Sequence, residues 1–191
     1  MKTKDLNLKN NVFLRIILKL TPYIFFFFLF AFIGWIGETI FCYVIYGQTA
    51  KRGFLYGPIC PIYGYGALIL MLYFYKSKNI KHSYLKLFFL FILIFSFFEY
   101  FVGFALEAIF GARWWDYSDN KYSLNGRITI LNSLIWGFAT LIFTKFISPL
   151  IYKLKDIINN KVPDIAKLII DSALLSIFFI DSILSCIKYL S

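Results

Sequence analysis

The chain has 191 residues, 60% of them apolar and 16% charged, with a net charge of +10 and a mean hydropathy of +0.73. A soluble domain is nearer half apolar and interrupts its core with polar faces, so this composition excludes one. The charge does not mark a nucleic-acid binder either, because the basic residues sit in short loops between apolar blocks, where they set membrane topology.

About 20 residues of helix cross the hydrocarbon of a bilayer, and several blocks reach that length, so the expected fold class is an all-α polytopic membrane helix bundle with the lipid bilayer as its partner. Residues 1–21 read as a basic, amphipathic approach. The first span is expected at about 22–46, with Pro22 in its first turn. Its apolar block is longer than the ~7–15 residues of a signal-peptide core, so it should remain as a span. The loop "GQTAKRGFLYG" leads to a second span at about 58–75, whose opening "PICPIYGYG" argues for an irregular start. The third span covers about 85–110. A tryptophan-rich loop, "GARWWDYSDNKYSLNGR", precedes the fourth at about 128–150, closed by Pro149. Residues 164–190 form a candidate fifth span, in which Asp171 and Asp181 each cost about 2.5–3.5 kcal/mol if central. If this segment spans, both aspartates should face the bundle; if it lies flat, they should face water, and the sequence leaves both open. Three domains follow: residues 1–21, a membrane domain at 22–150, and a basic linker with a C-terminal helix at 151–191.

Counting Lys and Arg places fourteen on the side of the N-terminus and six on the other, so the N-terminus is expected to be cytoplasmic and the "KRGFLYG" and "RWWDYS" loops external. Cys42, Cys60 and Cys186 have no CxxC spacing and one histidine, His82, for company. No metal site or cofactor is therefore expected.

The stretch "FIGWIGETIF" (32–41) matches "FVGFALEAIF" (101–110) at Phe, Gly, Glu, Ile and Phe. The Glu match is informative because the chain has three glutamates in all. The offset of 69 residues persists without a gap: Leu55 meets Leu124, Gly57 meets Gly126, Ile59 meets Ile128, and Arg52 falls opposite Lys121. We read a duplicated hairpin, 22–75 and 85–150, as a parallel repeat with its axis along the membrane normal. That axis would bring the two Gly-x-x-x-Glu faces together as an acidic seam, the small residue allowing close approach. The competing reading is chance similarity in a low-diversity sequence.

Acidic residues inside apolar spans are functional candidates, here Glu38, Glu99 and Glu107. Glu99 lies about 20 Å along the helix from Lys86, and Glu107 about 12 Å further on. Arg52, Arg113 and Arg127 sit in the external loops. Two readings compete: the glutamates pair with these cations and hold the hairpins in register, or they line a pathway for a cation, a proton or a polar group. Trp114, Trp115 and Tyr117 fit an interfacial belt, whereas Asp116 could cap, bond Arg113 or bind hydroxyls. Asn125-Gly126 reads as a turn, with Arg127 a minority candidate for an anion contact.

"FIGWIGETIF", "KRGFLYGPICPIYGYG", "FFEYFVGFALEAIF", "RWWDYS" and "LNGRI", in that order, resemble the bacterial integral membrane family catalogued as ABC-transporter permeases of the CmpB type. The resemblance covers about residues 22–150. It implies a small permease-like protein of the bacterial cytoplasmic membrane, and it marks Glu38, Arg52, Gly53, Gly57, Pro58, Pro61, Gly64, Glu99, Glu107, Trp115, Asp116, Asn125, Gly126 and Arg127 as architectural or functional. The chain has no G-x-x-x-x-G-K-[ST], so an ATP-driven version needs a separate ATPase. Its inner loops are short, with no obvious extended coupling helix.

Three functions are carried forward. The first is a transport component with a pathway at the hairpin interface, enclosed by a homodimer if two hairpins prove too thin. The second is a membrane enzyme acting on a lipid or lipid-linked substrate at the outer face, with Glu107 and Asp116 as acid and base and Arg113 and Arg127 on a phosphate. No Ser-His or Cys-His arrangement supplies a nucleophile, so no residue is assigned as catalytic. The third is a non-catalytic subunit of another membrane protein.

Overall fold

A computed structural model describes residues 11–47, 53–76 and 83–191. Among them are five helices: α1 (Val12–Tyr46), α2 (Pro61–Lys76), α3 (Tyr84–Phe110), α4 (Ile130–Lys161) and α5 (Asp164–Leu190). All but the shorter α2 are long and apolar enough to cross a membrane. Two short strands, β1 (Ser123–Leu124) and β2 (Ile128–Thr129), pair antiparallel before α4. The protein is an all-α membrane helix bundle.

Two helix boundaries depart from expectation. α1 starts at Val12, ten residues early, because the Asn11 carboxamide oxygen accepts from the N–H groups of Phe13 and Leu14 and caps the helix there. Pro22 is therefore buried in the helix interior rather than in the first turn. Nor does Pro149 close the fourth span. Its ring would meet the carbonyl four residues back, and the preceding turn, Phe143–Ile147, widens into a π-turn in which the Ser148 N–H reaches Phe143 O. The helix runs on to Lys161.

The chain forms two compact units, Met1–Leu68 with Ile151–Lys188, and Ile69–Leu150 with Tyr189–Ser191. In the first, the start of α2 lies against the middle of α1. The Cys60 N–H donates to Ala31 O at 2.9 Å, and Gly64 leaves room for Phe27. α5 packs its Phe178 ring edge-on against Phe27 and Phe28. In the second unit α3 and α4 run antiparallel. Gly137 admits Phe88 and Ile92, and the buried Phe95 packs at 4.9 Å on Trp136. Asn125 and Gly126 both take positive φ in the β1–β2 turn, the Asn-Gly hairpin signature.

Candidate functional site

In the second unit, α3 carries Glu99, Gly103 and Glu107 on one stripe. Glu99 is 6% exposed. The Trp136 indole N–H of α4 donates to Glu99 Oε2 at 2.9 Å, and the Tyr117 hydroxyl stands 3.5 Å from Oε1. At the next residue of α3, the Tyr100 hydroxyl accepts from the Asn125 side-chain amide. Beyond it, Glu107 takes Arg113 Nε at 3.0 Å on one oxygen and Arg127 Nη2 at 2.7 Å on the other. Arg127 also lies over the rings of Tyr100 and Phe104, while its Nε, buried, has no partner among the described residues. The second guanidinium arm of Arg113 reaches Asp116 at 3.2 Å.

Asp116 lies in the loop. The Ser118 hydroxyl, bonded at 2.5 Å, and then the Ser118 N–H hold its carboxyl below the ordinary aspartate range, with Arg113 adding to the effect. The bond to Glu107 pushes Arg113 further above its already high value. Two cations thus face two carboxylates, and the cluster is self-neutralising.

In the first unit Glu38 accepts from the Tyr63 hydroxyl. The Tyr63 ring also fills the space that a side chain at Gly34 would need. In the second unit the Trp115 indole lies nearest Gly103, with Arg127 next to it, and Arg113 and Arg127 both hold Glu107. Each Gly-x-x-x-Glu face is therefore covered from its own hairpin, by Tyr63 alone in the first unit and by Trp115, Arg113 and Arg127 in the second. Of the candidates, Glu99, Glu107, Arg113, Asp116, Asn125 and Arg127 gather in the second unit, Glu38 belongs to the first, and Arg52 lies outside the described residues.

Three further groups were not among the site candidates read from the sequence. Trp136 is one, although an indole N–H within a span needs an acceptor and so pointed to Glu99. Tyr63 is another. The third is the α5 face. Asp171, 2% exposed, accepts from the Thr21 hydroxyl at 2.5 Å, and Asp181 takes the N–H groups of Tyr56 and Gly57 at 2.7 and 2.8 Å. Both aspartates face protein, as a spanning α5 requires. At repeat-equivalent positions, Gly57 abuts the Asp181 carboxylate and Gly126 that of Asp116.

The family model described as "Putative ABC-transporter type IV" matches residues 25–186. The chain belongs to this family. The match continues past residue 150, where the resemblance read from the motifs was expected to end, and takes in most of α5, which the contacts of Asp171 and Asp181 tie to α1 and its following loop. With its spans, family membership makes the chain a membrane transport component. No curated protein and no solved structure matches it.

Proposed function

We propose that the chain is the membrane-embedded part of a transporter in which Glu99 lines the polar route of a cation, a proton or a polar group of the cargo. The observation that carries this reading is Glu99, a carboxylate buried within an apolar helix and gripped by an indole N–H. Ionisable groups at such depth mark ion and substrate pathways. Trp136 and Tyr117 are neutral donors, which fix the orientation of the carboxyl group.

The acidic seam enters the proposal in graded form. Glu99 meets the cargo, while Glu38 and Glu107, each held by a partner of its own hairpin, keep the repeats 22–75 and 85–150 in shape. Arg52, Arg113, Asp116, Asn125 and Arg127 belong to the entrance. In the same proposal the N-terminus is cytoplasmic, the membrane is the bacterial cytoplasmic one, and a separate ATPase docks on the basic side. The enzyme reading is weakened by the ion pairs: Arg113 and Arg127 turn toward Glu107 and Asp116 rather than forming a free phosphate cradle.

Glu99→Gln keeps the shape and removes the charge. It is expected to abolish complementation of a deletion strain while expression and membrane insertion stay at wild-type level. Full complementation by this variant would remove Glu99 from the route.

A further inference from the structure

The returning helix of each hairpin starts well inside the bilayer. At about 1.5 Å per residue, α2 rises about 22 Å from Lys76 to Pro61, and α4 about 22 Å from Lys145 to Ile130, against a hydrocarbon thickness of about 30 Å. Contacts within each unit agree with these lengths. Cys60 donates to Ala31, about 18 Å above Lys19, and Asp181, which holds the Tyr56 and Gly57 N–H groups, lies about 21 Å above Lys167. In the second unit Tyr117 approaches Glu99, about 20 Å above Lys86, and Trp115 and Arg127 pack on Gly103 about 26 Å above it. Gly53–Cys60 and Arg113–Thr129 are therefore re-entrant, dipping back below the outer ends of the helices that precede them.

Non-helical backbone is stable at that depth only where protein covers it or where it faces water. Arg113–Thr129 is not fully covered by its own unit. The Asp116 side chain is 49% exposed, and Leu124 is 55% exposed. A half-exposed carboxylate does not face acyl chains. Beneath the β1–β2 turn lies an open cavity of about 290 Å³ whose walls are mainly apolar, among them Ile92, Leu124, Ile128 and Leu134, with Thr129 and Ser133 as its polar members. Ser133, bonded to Ser96 at 2.6 Å, stands about 18 Å above Lys145, near mid-membrane.

We infer that Arg113–Thr129 lines a water-filled recess reaching from the side opposite the lysines down to Ser133. This deepens the proposed transport role but rests on helix lengths and contacts, so it stands or falls separately from the Glu99 test. The experiment is thiol labelling with a membrane-impermeant maleimide in membranes, on single cysteines placed in a chain whose Cys42, Cys60 and Cys186 are alanine. Asp119→Cys, at the exposed loop tip, identifies the face from which the reagent is applied. Phe97→Cys and Phe101→Cys, both exposed on α3, report lipid contact. Leu124→Cys and the near-isosteric Ser133→Cys, scored in membrane-inserted protein, are expected to react about tenfold faster than the lipid-facing pair. Ser133→Cys reacting as slowly as Phe97→Cys and Phe101→Cys, whatever Leu124→Cys does, overturns the recess.

Discussion

Gly34 and Gly37 sit one turn apart in the same motif, and their surroundings differ. A Cβ on Gly34 would run into the Tyr63 ring, whereas one on Gly37 would meet nothing within 4 Å. Moving Tyr63 aside would also strain its bond to Glu38. Gly34→Ala is therefore expected to destabilise the protein by about 1–3 kcal/mol, while Gly37→Ala stays near neutral or gains slightly from helix propensity. Thermal unfolding in mild detergent separates the two, and equal midpoints for the two variants would contradict the packing described. The sequence pointed to the Gly and Glu of each repeat because rare residues recurred at a fixed offset. It could not show Tyr63 or Arg127 as their partners: Tyr63 follows Glu38 by 25 residues and Arg127 follows Glu107 by 20, and no periodicity links positions across a non-helical loop.

At the scale of elements, hydropathy was informative about spans because burial in lipid demands long apolar helices, and α3 and α5 fall within a residue of their expected ends. It was a poor guide to ends governed by single residues. Asn11 moved the start of α1, and a π-turn carried α4 through Pro149. The role of α5 was not legible either, since Asp181 acts on backbone N–H groups 124 and 125 residues away. Those N–H groups belong to a non-helical segment with no ladder of its own, so Asp181→Ala leaves two donors unmet, at a cost of about 1–3 kcal/mol each where water cannot replace the carboxylate. Asp181→Asn keeps one acceptor oxygen and should lose about half as much. Amide hydrogen exchange of Gly53–Cys60 is the direct measurement: faster exchange in Asp181→Ala than in Asp181→Asn is expected, and wild-type protection in both would show that the segment is held by other contacts.

At the scale of the whole molecule, charge and family membership bear on one question, the source of energy. The chain belongs to a family described as ABC transporters, yet the sequence holds no G-x-x-x-x-G-K-[ST] motif, the usual cradle for ATP phosphates. On the topology expected from the sequence, fourteen of the twenty Lys and Arg residues fall on the side of the N-terminus, against few acidic groups. A partner docking there would meet positive charge, and its docking face is expected to be acidic. The purified chain should then hydrolyse no ATP, and activity should appear only in a complex containing a separate P-loop subunit. Association through opposed surface charges weakens as the Debye length falls from about 10 Å at 0.1 M salt to about 3 Å at 1 M, so the subunit should be retained on an affinity column in dilute salt and released in concentrated salt. A bound ATPase that resists high salt would shift the contact to apolar surface. Purification in mild detergent that yields no P-loop subunit at any salt concentration would leave transport driven by an ion gradient, with Glu99 as the group that couples it.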